Sequence, residues 1–414
     1  MAATRRGGLA AVVLVAGVLA LAGCNLGVGP VSYELVDPEN HRLDPTGLVS
    51  GDIDGDGDPD VVATGRDGYA VLTNDGSGAY TVDFPANLGW PTESPSLADV
   101  DGDDDLDLVS RIDGLNPQRA QLPSVRRNDG TGAFGPIEAV QPDPPPGSLT
   151  ALVPSDADGD GDVDLLVALR VGGESHVGVY LNDGTGAFGP PATYSLAFAS
   201  DRATPVHLVA GDLDGDGDDD VVTTGTGDFT TPDGEVVEGT TAMVGLNDGA
   251  GAFAASGGPI EVTYNGVVWA VRPTLGDLDN DGTLDLAVGG PLSITTLLGD
   301  GTGGFAAPQR IVVPDTRGID YLAPADIDED GNLDLVGFDD ALAALSGIVA
   351  YGDGAGGIAQ VHEVDTGPGV GADGTSGREV EITDLDGDGD PDVLFLGGRV
   401  GVVENATNGR RPTH

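Results

Sequence analysis

The chain contains no lysine and a single cysteine. Without lysine there is no Schiff-base amine and no phosphate-loop lysine. The 17 basic residues, all arginine, face 69 acidic ones, for a formal net charge of −52. That balance leaves no basic face for a phosphate backbone, so nucleic acid is excluded as a partner. One cysteine cannot close a disulfide within the chain. Aromatic residues make up 5 % of it, and the five histidines include no His-Glu-x-x-His metal pair. Glycine is what abounds, at 69 of 414 residues, against a usual ~7 %. Together with 28 prolines it indicates many tight turns. The acids recur in a fixed frame rather than in blocks, which argues against disorder.

Arg5 and Arg6 precede an apolar run from Leu9 to Leu21. The run is too short to span a bilayer and has the layout of a secretory signal. It ends Leu21-Ala22-Gly23-Cys24, which resembles a bacterial lipobox. The resemblance implies cleavage before Cys24 and a diacylglyceryl group on its sulfur. The expected layout is a signal peptide over 1–23, a lipid-anchored tether over 24–29, a folded body over 30–408 and a tail over 409–414. The expected location is a membrane surface facing the periplasm or the cell exterior. An exported protein without disulfides needs another clamp, and metal is the obvious one.

Seven segments fit the frame D-x-D-x-D-x-x-x-D. Their aspartates are Asp52, Asp54, Asp56 and Asp60; Asp99, Asp101, Asp103 and Asp107; Asp156, Asp158, Asp160 and Asp164; Asp212, Asp214, Asp216 and Asp220; Asp277, Asp279, Asp281 and Asp285; Asp326, Asp328, Asp330 and Asp334; Asp384, Asp386, Asp388 and Asp392. Calcium takes 6–8 oxygens at about 2.3–2.6 Å, and carboxylates at positions 1, 3, 5 and 9 of a tight loop can converge on one point. Up to seven calcium ions are expected, one per loop. Glycine at position 6 permits the turn in six loops. The second loop has Asp104 there and should be the weakest; Glu329 at position 4 places the sixth slightly in question. An EF-hand would need a glutamate at position 12, where this chain has Ala63, Ser110, Val167, Thr223, Val288, Gly337 and Phe395. Each loop instead runs into a short apolar segment such as Val61-Val62-Ala63, which reads as a buried strand. Before each loop stands a small residue, from Gly51 to Thr383, which would let inner strands crowd toward a common axis.

A second motif trails the first: Asn74-Asp-Gly-Ser-Gly-Ala-Tyr80, with copies at Asn128–Phe134, Asn182–Phe188 and Asn247–Phe253 and weaker ones at Gly299–Phe305 and Gly352–Ile358. Asn-Asp-Gly supplies the positive φ of a hairpin turn, and the aromatic can plug the gap between packed sheets. Each repeat therefore reads as four strands, A to D, and seven such repeats make an all-β, seven-bladed β-propeller of four-stranded antiparallel blades. These residues resemble the FG-GAP/VCBS repeat family, relatives of the integrin α propeller. The resemblance implies that the aspartate loops bind structural calcium and that ligands occupy the opposite face.

The seventh repeat lacks a strand D, and Asn405-Ala-Thr-Asn-Gly409 reads as a decayed turn. Residues 30–36 can supply the missing strand, closing the ring and entering it from the calcium face. The outward ligand face is then expected to carry Trp90, Arg119, Arg202 and Trp269, with the 111–124 loop, a 225–241 insertion, His207 and Arg317 nearby. The protein is expected to be a monomer binding an unknown protein or glycan as an adhesion or scaffold module, with a lectin as the alternative. Catalysis is not expected. Ser175-His176 misses the Gly-x-Ser-x-Gly spacing, and calcium-held carboxylates are poor general acids. An acid pair or a histidine–carboxylate pair in a central funnel would favour an envelope polysaccharide hydrolase or lyase instead.

Overall fold

In the computed structural model the described residues form 28 β-strands and no helix. Described are residues 31–405 apart from 34–42, 44, 66–67, 77–79, 85–91, 114–120, 141–146, 173, 197–203, 231–235, 264–270, 314–317, 340–345, 367–378 and 398. The strands form seven sheets of four antiparallel strands. In the first, Pro45–Gly51, Asp60–Gly65, Gly68–Asn74 and Tyr80–Asp83 lie side by side in chain order. Such strands are labelled A to D here, and the sheets are blades 1 to 7.

Blade 7 takes its strands A to C from Glu379–Thr383, Asp392–Leu396 and Val400–Val403. Its strand D is Val31–Tyr33, with Val31 opposite Val402 and Tyr33 opposite Val400. The ring is thus closed by an N-terminal strand, as expected. Strand C leads to Asn405, whose amide donates to Asp392 at the aspartate loop. Antiparallel pairing therefore starts the N-terminal strand on the loop side.

Strand B is buried on both faces, which explains its continuous apolar run. Val61 and Ala63 pack toward blade 7, against Leu394, Leu396 and Val402. Val62 between them faces blade 2 and packs with Leu108, Leu97 and Leu106. Seven clusters of this kind, each shared by two neighbouring blades, make up the core. Each fully buried Val or Leu contributes about 1.5–3 kcal/mol. The aromatics of the second motif fill the seams: Phe134 of blade 2 meets Tyr69 of blade 1 edge-on, with centroids 5.9 Å apart.

The glycines before three of the loops let the next blade approach closely. A Cβ on Gly211 would lie 2.8 Å from Leu284 Cδ1 of blade 5, and one on Gly51 would lie 2.9 Å from Leu106 Cδ1 of blade 2. Two expected loops are instead largely strand. The 225–241 insertion is a hairpin extension in which strands Asp220–Thr230 and Val236–Asn247 pair out to Thr230 opposite Val236. Its β-branched residues continue the ladder past the blade edge. The 111–124 loop likewise shrinks between strands Asp107–Asp113 and Gln121–Arg126.

Candidate metal centres and an axial pocket

The aspartate loops follow a common course. The first aspartate accepts the position-6 N–H on Oδ2 and a position-4 or position-5 N–H on Oδ1: Asp52 takes Gly57 at 3.0 Å and Gly55 at 2.8 Å, and Asp277 takes Gly282 at 2.9 Å and Asp281 at 3.0 Å. This curl requires left-handed backbone at positions 4 and 6. The six glycines at position 6 have φ between 88° and 98°. Asp104 adopts the same hand at φ 70°, as do Glu329 at 58° and Asn280 at 60° in position 4. The two loops singled out from the sequence thus keep their shape, at the cost of backbone strain.

The ninth aspartate is buried and accepts two backbone amides. Asp60 takes the Ile53 N–H at 3.2 Å on Oδ2 and the Asn74 N–H at 2.8 Å on Oδ1. The same pair recurs in all seven blades. It ties the loop, strand B and the end of strand C together. Burial pushes this carboxyl up to about 6 at Asp60, Asp107, Asp164, Asp220 and Asp334, and to about 7 at Asp392. The two amides pull it back down, and the neighbouring loop acids add to the rise.

Carboxylate oxygens of the first, third and ninth aspartates lie within 4.8 Å of one another. These sets include Asp52, Asp54 and Asp60; Asp99, Asp101 and Asp107; Asp156, Asp158 and Asp164; Asp212, Asp214 and Asp220; and Asp277, Asp279 and Asp285. The fifth aspartate is not in these sets. Its Oδ1 instead accepts the position-7 amide, as Asp56 does from Asp58 at 3.0 Å and Asp103 from Asp105 at 3.1 Å.

Whether the clusters fit a hard cation is decided by the third aspartate. Asp101 Oδ1, Asp158 Oδ1 and Asp279 Oδ1 are buried with no hydrogen-bond partner. Burial, followed by repulsion from the fifth aspartate, raises the carboxyls of Asp54, Asp158, Asp214, Asp328 and Asp386 above the usual range. Lone pairs without a donor, among mutually repelling oxygens, match the donor set a hard divalent ion takes. Blade 2 differs: the Arg127 guanidinium forms an ion pair with Asp101 and also donates to Gly186 O of blade 3 at 3.2 Å. A positive charge of the chain itself already sits at that cluster.

The asparagine of the second motif latches each blade to the one before. Asn128 Nδ2 donates to Ile53 O at 2.6 Å, Asn182 to Val100 O at 2.8 Å and Asn247 to Ala157 O at 2.9 Å. Asn74 closes the ring on Leu385 O at 2.7 Å. Asn405 plays the same part on Ile327 O at 2.7 Å, so the apparently decayed turn keeps its key residue. Blades 5 and 6 lack the asparagine and use backbone instead, Gly303 N to Leu213 O and Gly356 N to Leu278 O.

A cavity of about 240 Å³ lies where the strands A converge. Its polar wall is His207, Arg272, Tyr321, Glu379 and Glu381, from blades 4 to 7. Arg272 Nη1 donates to Glu379 Oε1 at 2.5 Å, and its guanidinium lies 5.2 Å above the Tyr321 ring. Glu379 Oε2 accepts the Leu48 amide of blade 1 at 2.5 Å. Burial, then the charge of Glu379, pushes the Glu381 carboxyl up to about 8, so it is mostly protonated at neutral pH. Burial, then Arg272 and Arg111, pulls His207 down to about 3, which keeps it neutral. His207 was a sequence candidate; Arg272, Tyr321, Glu379 and Glu381 were not. One signal was available: His207, Arg272, Tyr321 and Glu379 each stand five residues before a loop's first aspartate. Cys24, Trp90, Arg119, Arg202, Trp269 and Arg317 lie outside the described residues.

The FG-GAP-like repeat model matches residues 52–110, 156–223 and 277–337. Each stretch opens on the first aspartate of one loop and takes in the next. No curated protein matches the sequence. Among solved structures, an Agrocybe aegerita lectin recognising non-reducing terminal N-acetylglucosamine is 22 % identical, covers 78 % of this chain and 81 % of its own, and has a TM-score of 0.55. An exotype rhamnogalacturonan lyase is 15 % identical over 89 % of this chain and 74 % of its own, with a TM-score of 0.53. At these identities the likeness is one of fold. It nevertheless corrects the expectation that the chain is not an enzyme. The same fold carries a lyase, and the axis brings the acid pair Glu379 and Glu381 of blade 7 into one cavity with His207 of blade 4. The chain is a seven-bladed β-propeller, and three stretches of it match the FG-GAP-like repeat.

Proposed function

We propose that this chain is a calcium-clamped propeller that binds a glycan at an extracytoplasmic membrane surface, where a lipidated Cys24 holds it. The partnerless third-aspartate oxygens, buried beside two further carboxylates, carry the calcium reading. The first, third and ninth aspartates would hold the ion. It would supply the positive charge that lets them ionise together. Entry of the N-terminal strand from the loop side supports an orientation with the loops toward the membrane. The ligand face then points outward, and Trp90, Arg119, Arg202 and Trp269 are the side chains we propose for it. The lectin of the same fold supports a glycan as the ligand class.

A glycan array probed with the calcium-loaded protein, and again in chelator, tests this reading. Retention on defined glycans that is lost in chelator is expected. A folded, calcium-loaded protein that binds no glycan would overturn the glycan assignment.

A further inference from the structure

The charged cluster on the axis is not something the fold needs. In blades 1 to 3 the positions five residues before the first aspartate carry Gly47, Ser94 and Ala151; in blades 4 to 7 they carry His207, Arg272, Tyr321 and Glu379. The same propeller framework accepts both sets. Burying an ion pair and two further titratable groups costs desolvation that small or apolar residues would not incur. A bulge interrupts A–B pairing at this level in blades 1, 2, 3, 4 and 6, which re-aims this part of strand A.

The cavity has two unlike walls. Blades 1 to 3 line it with Leu48, Pro95, Ala151 and Leu152 beside Ser94 and Ser96, and blades 4 to 7 bring the five polar residues together with Leu322. Solvent reaches the Arg272 side chain, which is 34 % exposed, while its partner Glu379 is 5 % exposed. The Glu379 carboxylate neutralises the guanidinium and holds it in place. An anionic ligand would meet the Glu379 carboxylate, and a cationic one would meet Arg272. A neutral molecule with an apolar face and a rim of hydroxyls meets neither penalty. At about 240 Å³ the cavity falls below the ~300–1,000 Å³ of drug-sized sites, which suits one sugar ring rather than several.

We propose that the axial pocket binds a single neutral sugar unit, its hydroxyls held by Arg272, His207, Tyr321 and Glu381 and its apolar face against Leu48, Pro95 and Leu152. The proposal deepens the glycan reading and rests on it. The pocket, unlike the outward loops, is built on strands from every blade, so its geometry is held by the ring itself.

The test is saturation-transfer NMR and calorimetric titration of the calcium-loaded full chain with methyl glycosides of galactose, rhamnose and N-acetylglucosamine. Two variants accompany it. Ala151→Leu narrows the cavity from blade 3 and changes no polar group, and Glu381→Gln keeps the shape while altering one hydrogen-bonding group. Saturable binding of at least one glycoside is expected, weakened tenfold or more in both variants while their calcium-dependent melting is kept. Binding that both variants leave unchanged would overturn the pocket and leave the glycan reading standing, with the site elsewhere. No binding of any of the three, in protein that melts as the calcium-loaded form, would also overturn it.

Discussion

Asp164 accepts the Ala157 and Asn182 amides with its two oxygens, at 3.0 and 2.7 Å, whereas Asp158 keeps a buried oxygen with no partner. The two aspartates share a cluster but not a role, and their amides should separate them. Asp158→Asn removes repulsion, so it should raise the melting temperature in chelator and lower it in calcium. Asp164→Asn puts an NH₂ against a backbone N–H, so it should lower the melting temperature in both. The ninth aspartates also set the pH response. At six of them the folded pKa, about 6 to 7, lies above the ordinary value of 3.8, and Asp285 is raised in the same direction, so the metal-free fold binds protons more tightly than the unfolded chain. Its stability is then full below pH ~4 and falls as pH rises through 6 to 7. In calcium the ionised form is the bound one and the slope should reverse, which thermal melts between pH 4 and 8 would show. Strain at Glu329, with φ 58°, gives a third expectation: Glu329→Gly should stabilise the chain by about 1 kcal/mol in chemical denaturation.

At the scale of the loop and its latch, Asn182→Ala removes bonds to Val100 O and Val163 O and strands two carbonyls. A loss of about 1–3 kcal/mol is expected in chemical denaturation. Arg127 is the element-level exception, since its guanidinium occupies Asp101. Arg127→Leu should add one calcium ion per chain, or tighten the weakest one, in a calorimetric titration. The second loop, expected from Asp104 to be the weakest, keeps its turn with φ 70° at that residue, and what sets it apart is Arg127 paired with Asp101. The regular elements were legible because each repeats seven times: the aspartate frame, the apolar strand B and the asparagine turn all lie within short stretches of chain. The role of the ninth aspartate was only half legible, because its partners Ile53 and Asn74 are separated by a full strand pair. The axial cluster was not legible, because Arg272 and Glu379 are 107 residues apart and meet only once the ring is closed. The strands that absorbed the 225–241 loop were hidden by its Gly and Thr content, which reads as turn until a partner strand is present.

Across the whole molecule, closure joins both ends of the chain. Val31–Tyr33 completes blade 7, and Asn74 links blade 1 to Leu385. The seal between blades 7 and 1 is one of the seven shared clusters, so cooperativity should run around the ring rather than end at a seam. Replacing Ser32 by proline would remove a donor and a conformational freedom from the closing strand and should loosen blade 7, visible as faster amide exchange over 392–403. At the same scale, Cys24→Ala should abolish metabolic labelling with palmitate and release the protein from the membrane fraction; retention would count against the lipid anchor. The central claim is that seven carboxylate clusters, held together in a chain of net charge −52, require calcium to be stable. Each site at 100-fold saturation would contribute about 2.7 kcal/mol. Scanning calorimetry of the chain at neutral pH, in saturating calcium and in excess chelator, tests it most directly. The account predicts a melting temperature higher in calcium by roughly 10–20 °C; coincident melts would contradict it.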